Sequence, residues 1–174
     1  MSRPNVTDYA TFYETYVSLV PEDDVLQAMK SQTDELFPFL RGITEQVACL
    51  RHPPYTWSVK EVIGHLIDAE RVFAYRALRF ARNDATPLAG FDENNYMQAA
   101  EFDRYLFRDL AEEFESLRRS NLLFFNNLPA TAWSRIGVAS ENKVTVNALA
   151  YIIVGHVRHH TAILRKRLSG DNRS

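Results

Sequence analysis

Three histidines have the spacing that a metal site requires. His156 and His160 lie four residues apart in the segment AYIIVGHVRHHTAILRKRL, and His65 lies far upstream in WSVKEVIGHLIDAER. At 3.6 residues per turn, positions i and i+4 lie about 40° apart around a helix, so these two imidazoles share one face. A third imidazole from a neighbouring helix would complete a three-histidine site with one open coordination position, an arrangement typical of catalytic metal ions.

The apolar pattern around the histidine pair favours metal binding. His156 and His160 fall inside the inward stripe of the last predicted helix, and a buried neutral imidazole needs a partner such as a metal ion. A histidine on an apolar face is more often a hydrogen-bonded core residue, so a bundle that binds no metal is the alternative. Five aliphatic residues form the stripe: Leu149, Ile152, Ile153, Ile163 and Leu164.

Two further residues are candidates to support the ligands rather than to bind the ion. His159 could pair with His156 at i,i+3, but it lies toward the flank of the stripe, so we expect it behind the ligands or facing solvent. Asp68, one turn after His65, could fix the ring through its second nitrogen. A solvent-facing acid fits the same position equally well. His52, in the segment RHPPY, is interpreted as structural or incidental.

The ligand type narrows both the ion and its chemistry. Three neutral histidines leave the ion its full positive charge, which lowers the pKa of a bound water or thiol. Imidazole ligands suit zinc or nickel, allow iron(II), and disfavour magnesium and calcium. The segment HVRHH has HxxxH spacing but lacks the glutamate of the HExxH motif, so a zinc peptidase of that type is disfavoured.

Arg76 lies three helical turns beyond His65 on nearly the same face, roughly 16 Å along the axis, which is too far to touch the ion. We expect it to form a buried pair with a carboxylate such as Glu112 or Glu113. The alternative is that Arg76 clamps an anionic cosubstrate.

Composition excludes several classes of protein. The 174 residues are 46% hydrophobic and 24% charged, with a formal net charge of −2, which is ordinary for one globular domain, expected to span residues 1–174. This charge argues against nucleic-acid and anionic-membrane binding. The single cysteine, Cys49, excludes an internal disulfide and fits a reducing compartment. With neither a secretory signal nor an apolar run of membrane-spanning length, the chain is expected to be cytoplasmic.

Four stretches have the pattern of long helices and predict an all-α fold, an antiparallel four-helix bundle. Ser58 and Glu61 form a capping box that begins the second helix. Residues 1–20 are expected to form an extension packed on the bundle, with a short helix of its own. The predicted helices run from Pro21 to about Phe37 or Leu40, from Ser58 to about Arg82, from about Asn95 to Asn126, and from about Thr145 to Leu168, before Gly170 as the residue after the helix end.

The connections between these helices carry turn residues. Residues Thr44 to Leu50 are expected to form a short extra turn, and Asn83 to Asn95 a loop. Residues Trp133 to Thr145 are expected to form a loop or a hairpin with Gly137 and Asn142 as its turn residues.

A family resemblance rests on three segments: WSVKEVIGHLIDAERVFAYRALRFAR, PLAGFDENNYM and ALAYIIVGHVRHHTAIL. They resemble the DinB-like superfamily, which includes the YfiT-type metal-dependent hydrolases and the bacillithiol transferases. The most specific feature is one histidine early in the second helix together with an HxxxH pair in the fourth. The resemblance implies a four-helix bundle, a divalent ion on His65, His156 and His160, often zinc or nickel, and a homodimer.

The resemblance also implies a class of chemistry. Relatives use a low-molecular-weight thiol as cosubstrate, in S-transfer or in maleylpyruvate isomerisation. An isomerase branch has glutamate where this chain has His156, which points away from that branch. We therefore expect a metal-dependent enzyme that activates a thiol or water for attack on a small electrophilic substrate. The alternative is a stress-associated metal-binding or interaction protein without catalysis, which a fourth protein ligand or an aromatic plug at the site would favour.

Overall fold

The computed structural model describes residues 2–169, which form a bundle of four long helices with shorter elements between them. This confirms the predicted fold class. Gly170, the expected residue after the last helix, lies outside the described residues. The helices are α1 (Glu14–Val17), α2 (Val25–Arg41), α3 (Glu45–Ala48), α4 (Val59–Ala81), α5 (Glu93–Ala100), α6 (Phe107–Asn126) and α7 (Val146–Leu168), and the strands are β1 (Ile136–Ala139) and β2 (Asn142–Thr145).

Side-chain caps fix the starts of the two helices that carry the histidines. The Ser58 hydroxyl accepts a hydrogen bond from the Glu61 N–H at 3.1 Å, and the Glu61 carboxylate accepts one from the Ser58 N–H at 2.7 Å. The predicted capping box is therefore confirmed, and α4 begins at Val59. The Thr145 hydroxyl caps α7 in the same way by accepting from the Ala148 N–H. These caps set the register that points the histidines inward.

The four long helices α2, α4, α6 and α7 form a ring in which α4 and α2 each pack against both α6 and α7. Their apolar faces form two clusters of buried side chains, one towards each end of the bundle. The boundary between the two clusters lies between Ile67 and Ala69 on α4 and between Val154 and Val157 on α7. His156 lies at this junction and His65 lies beside it, so the polar rings interrupt the core at its middle.

The first and third helices differ from their predicted bounds. α2 begins at Val25, not Pro21, because the Asp24 carboxylate accepts hydrogen bonds from two N–H groups of the first turn. It then continues through Pro38 to Arg41. The single third helix predicted from about Asn95 was wrong.

Two helices stand where that single helix was predicted. α5 begins at Glu93 and ends before Glu101, whose φ of 48° is left-handed, and α6 begins only at Phe107. Neither glycine nor proline marks this break in the sequence.

The hairpin after α6 was predicted, but its turn residues were not. β1 pairs with β2 in antiparallel register, with Ala139 opposite Asn142. The turn is therefore formed by Ser140 and Glu141, which have φ values of 50° and 63°. Gly137 lies within β1, where a Cβ atom would collide with the ring of Phe80. Its small size serves packing rather than a turn.

Within residues 2–169, none of the helices combines the length and the apolar character needed to cross a bilayer.

Candidate metal centre

The three predicted histidines meet at the middle of the bundle. His65 comes from α4, and His156 and His160 come from successive turns of α7. One ring nitrogen from each lies within 4.8 Å of the other two. The closest pair is Nε2 of His65 and Nε2 of His156, 3.0 Å apart. In the described part of the chain no fourth histidine, cysteine, aspartate or glutamate joins this group.

Burial keeps these imidazoles neutral at pH 7. The His65 and His156 side chains are buried, and His160 is half-buried. Loss of solvation lowers the pKa of His65 to about 4 and that of His160 to about 3. The same burial, with His160 and His65 as further causes, holds the pKa of His156 well below its ordinary value. All three rings therefore keep a free lone pair for a cation.

Aromatic rings hold the imidazoles in place. The Tyr16 ring lies edge-on to His156 with centroids 5.0 Å apart, and the Phe73 ring lies 5.9 Å from the same imidazole. Trp57 packs on His65 at 5.2 Å. These contacts restrict ring rotation and reduce access of water to the nitrogens, which favours a preformed site.

A glycine next to the site explains how Tyr16 approaches it. A Cβ atom on Gly155 would collide with the backbone carbonyl of Tyr16. Only glycine at this position lets α1 lie directly against α7, one residue before His156. The N-terminal segment thereby becomes a wall of the site, beyond the packed extension that the sequence predicts.

The donor set fits a divalent transition-metal ion. Two ring nitrogens facing each other at 3.0 Å need a proton or a cation between them. Nitrogen ligands at about 2.0–2.1 Å from a tetrahedral zinc ion lie about 3.3 Å from one another. The His65 and His156 Nε2 atoms, at 3.0 Å, are close to this separation. Imidazole nitrogen is a ligand for zinc, nickel and iron(II), and three of them leave room for an exogenous fourth ligand.

A cavity of about 390 Å³ lies beside the three histidines, large enough for a small organic molecule. Its wall includes all three imidazoles, the rings of Tyr16 and Phe73, and the side chains of Arg76, Glu93 and Ser140. A larger groove of about 810 Å³ runs between α2 and α6. The larger groove contains none of the histidines, so the smaller cavity is the candidate site.

The two supporting candidates have different surroundings. His159 is half-buried and lies outside the three-nitrogen group, with its ring 5.6 Å from Tyr16 and 5.0 Å from His160. Asp68 makes no hydrogen bond to an imidazole among residues 2–169, and its nearest cation is Arg71 at 3.9 Å. Burial raises the pKa of Asp68. The supporting role of both residues stays a prediction.

Sequence reasoning assigned the wrong partner to one residue of the cavity and missed another. The predicted pairing of Arg76 with Glu112 or Glu113 was wrong: Glu113 pairs with Arg71 at 2.6 Å, and Arg76 bonds to neutral oxygens. The sequence predicts Glu93 only as part of the loop from Asn83 to Asn95. It is the first residue of α5 and brings the cavity a carboxylate, which acts on the pKa of His65 and Tyr16.

The DinB superfamily model matches residues 28–164, which is most of the chain and includes all three histidines. The chain belongs to the DinB superfamily. A comparison with curated protein sequences finds no match.

Among solved structures, a similar one is YfiT from Bacillus subtilis, described as a probable metal-dependent hydrolase with an unusual four-helix bundle topology. The two share 15% sequence identity over 84% of this chain and 86% of that chain, with a TM-score of 0.73. At this identity the likeness shows a common fold.

Proposed function

We propose that this DinB superfamily member is a metal-dependent enzyme. His65, His156 and His160 hold one divalent ion, zinc or nickel in the first place and iron(II) in the second. The observation that carries the proposal is the convergence of three neutral imidazole donors on the wall of a cavity of small-molecule size. The description of YfiT as a probable metal-dependent hydrolase supports the same class.

The reaction proposed is attack of a low-molecular-weight thiol, or of water, on a small electrophilic substrate. An ion held by three uncharged ligands would lower the pKa of a thiol or water beside it and so supply a nucleophile at neutral pH. The protein's own residues orient the reactants. The rings of Tyr16, Trp57 and Phe73 fix the imidazoles, and the cavity holds the substrate against them.

Glu93 is the proton acceptor that we assign to this reaction. It contributes the only carboxylate on the described wall of the cavity. Its negative charge favours the protonated forms of His65 and Tyr16. A carboxylate at the cavity mouth can receive the proton of an incoming thiol and release it to solvent.

The decisive experiment measures thiol conjugation to monochlorobimane by the full chain, purified without a nickel column. The thiol sulfur forms a bond to carbon, chloride leaves with the bonding electrons, and the thiol proton passes to Glu93. Glutathione, bacillithiol, mycothiol and cysteine are each tested with metal-loaded protein, metal-stripped protein, His160→Ala and Glu93→Gln. We expect turnover with the metal-loaded wild type and none with the metal-stripped protein or with His160→Ala. Metal-loaded Glu93→Gln should turn over about 10²-fold more slowly than the loaded wild type, at unchanged metal content.

Absence of metal-dependent turnover with every thiol would rule out the transferase reaction. The same four proteins would then be tested on a panel of esters and amides, which probes water activation. Failure there as well would leave a metal-binding or interaction protein without catalysis. The aromatic rings packed around the histidines are the feature that this second function would explain best.

We also propose a homodimer, and we place its surface outside the aromatic N-terminal segment, whose side chains line the cavity. Tyr13 is buried, and Phe12, Tyr13 and Tyr16 line the cavity. Other large apolar side chains are exposed, among them Leu123 at 66% and Ile136 at 53%. Light scattering at micromolar concentration is expected to give twice the 20.1 kDa chain mass, and a monomer mass would contradict the dimer.

A further inference from the structure

Arg76 is a buried cation that no carboxylate in residues 2–169 neutralises. Its residue is 2% exposed, and its Nη2 donates to the Ala89 carbonyl at 3.1 Å and to the Ser140 hydroxyl at 2.9 Å. Within residues 2–169 it makes no ion pair, whereas Arg118, a second buried arginine, bonds to Glu70 at 2.6 Å. A third, Arg167, also lacks an ion pair in these residues, but it lies in the last turn of α7 and donates to the Trp57 carbonyl rather than lining the cavity. Buried charges are ordinarily paired, so an unneutralised guanidinium facing a cavity indicates an anion that binds from outside.

The guanidinium has donors left for such an anion. An arginine has five N–H groups, and the two acceptors at normal distance both use Nη2. In the described part of the chain, the only hydrogen-bond partner of Nη1 is the Tyr13 hydroxyl at 3.5 Å, which is too long for a strong bond. The rings of Phe73 and Phe91 flank the group at 5.9 Å each and shield it from water.

The cation and the metal centre are within reach of one small molecule. The Arg76 Cζ atom and the His156 ring centroid each lie 5.9 Å from the Phe73 ring centroid, so they are at most twice that distance apart. Arg76 is eleven residues after His65, about 20° around the helix, and side chains lean toward the helix N-terminus, which brings the guanidinium back toward the histidines. Both groups line the same cavity.

A strained turn holds the hydroxyl that orients the guanidinium. Ser140 and Glu141 both have left-handed φ values, in a hairpin turn where glycine or asparagine is usual. The Ser140 N–H donates to the Leu88 carbonyl, which ties the turn to the loop that carries Ala89. Non-glycine residues in this conformation cost stability and cluster at binding sites. The strain places the Ser140 hydroxyl against Arg76.

We infer that Arg76 and Ser140 form a binding site for a carboxylate group of the substrate. The substrate class is then a small carboxylic acid whose acid group bonds to Arg76 and whose electrophilic carbon lies at the three histidines. The second half of this inference rests on the proposed function, and the first half does not. The three histidines are neutral and add no charge to the cavity. The positive charges of a divalent ion and of Arg76 outweigh the single negative charge of Glu93, so the cavity favours an anion.

The surroundings select a carboxylate over a phosphate. Phosphate sites collect several cations or a series of backbone N–H groups. Here one guanidinium, already bonded to two neutral oxygens, is the only cationic side chain on the described wall of the cavity. The N–H groups that remain free on the Arg76 guanidinium match a planar, singly charged carboxylate.

The test compares binding of trans-cinnamate with binding of its uncharged analogue cinnamamide. Both are measured by calorimetry at pH 7 on metal-stripped full chain, so that the acid group cannot bind to an ion. The proteins are wild type, Arg76→Met, Arg76→Lys, Ser140→Ala and the control Arg79→Met, which removes a cation paired with Asp84 outside the cavity. Phenyl phosphate is the third ligand.

We expect wild type and Arg79→Met to prefer cinnamate by about tenfold or more, Ser140→Ala to reduce the preference, and Arg76→Met to abolish it. Arg76→Lys should keep only part of it, because an ammonium lacks the planar fork. The carboxylate site would be overturned by unchanged preference in Arg76→Met, by no cinnamate binding to wild type, or by tighter binding of phenyl phosphate.

Two further measurements separate this site from the metal centre and from a structural role. Arg76→Met should bind zinc with wild-type stoichiometry in elemental analysis, since the histidines are unchanged. If wild type binds no metal but still prefers cinnamate over cinnamamide, the proposed metal-dependent enzyme is contradicted and the carboxylate site is supported. If Arg76 only supports the fold, Arg76→Met lowers the thermal midpoint and keeps the preference, which would overturn the inference.

Discussion

The three imidazoles are held to different degrees. His156 is 4% exposed and has aromatic rings on two sides, and His65 is 8% exposed beneath Trp57. His160 is half-buried, and among residues 2–169 its ring contacts only three other imidazoles, those of His65, His156 and His159. His160 therefore has the greatest freedom to move when an ion or a substrate enters.

Replacing His160 should remove the ion, whereas replacing its neighbour His159 should not. His159 lies outside the three-nitrogen group, so its loss leaves all three donors in place. Elemental analysis after dialysis is expected to give about one ion per chain for wild type and His159→Ala, and less than a tenth of that for His160→Ala. A loaded His160→Ala together with an empty His159→Ala would show that the face assignment is wrong.

His156 and His160 were predictable as a pair because helical spacing places positions i and i+4 on one face. His65 was predicted as a third imidazole from a neighbouring amphipathic helix. The rest of the cavity was not. The sequence predicts Arg76 on the face of His65, but its partner, Ser140, is 64 residues away in a hairpin whose turn was predicted at other residues. Glu93 reaches the cavity through α5, a helix that the sequence reading had assigned to a loop and to the start of α6.

At the scale of elements, the capping box predicted the start of α4, whereas the start of α2 and the break between α5 and α6 were missed. The capping box at Ser58 gave α4 its first residue, because the reciprocal bonds are local. The break at Glu101 depends on Phe102, whose ring fills the space left by Gly64 on α4. This long-range contact ends the helix although the helical pattern of the sequence continues. The local composition therefore does not predict the break.

A buried ion pair joins three of the long helices. Arg118 on α6 bonds to Glu70 on α4 at 2.6 Å and to the Gln32 side chain on α2 at 2.7 Å. Asn121 donates to the second oxygen of Glu70 at 3.0 Å. The side chains of the charged pair are each 1% exposed, so both charges depend on these partners.

Arg118→Met should destabilise the bundle strongly, because it leaves the Glu70 carboxylate buried without its cation. We expect the unfolding free energy to fall by about 3–5 kcal/mol in urea titrations. The control is Arg119→Met, whose arginine is 70% exposed and pairs with Glu115 at the surface; it should cost less than about 0.5 kcal/mol. Equal effects of the two variants would contradict the role of the pair.

The whole molecule should lose stability in alkali. The Tyr151 hydroxyl donates to the carbonyls of Glu22 and Asp23 at 2.8 and 2.9 Å, and burial raises its pKa to about 12. An unfolded tyrosine has a pKa of about 10, so above pH 10 the unfolded chain releases protons that the folded chain keeps. The stabilisation is complete below pH 10 and is lost as the pH rises toward 12.

Urea titrations between pH 8 and pH 11 measure this loss. Tyr151→Phe should be less stable than wild type at pH 8 by about 1 kcal/mol, since two carbonyls lose a donor. Its stability should fall less steeply above pH 10. A wild-type curve as flat as that of the variant would show that Tyr151 does not carry the dependence.

The proposed ligands come from distant parts of the chain: His65 and His156 are 91 positions apart. A nascent chain emerges N-terminal end first, so it presents His65 alone until α7 has left the ribosome and docked. A three-ligand site cannot form before that moment. The fraction of protein that carries the ion would then depend on the free metal concentration after folding is complete. A brief metal shortage during translation would not lower that fraction once the metal returned.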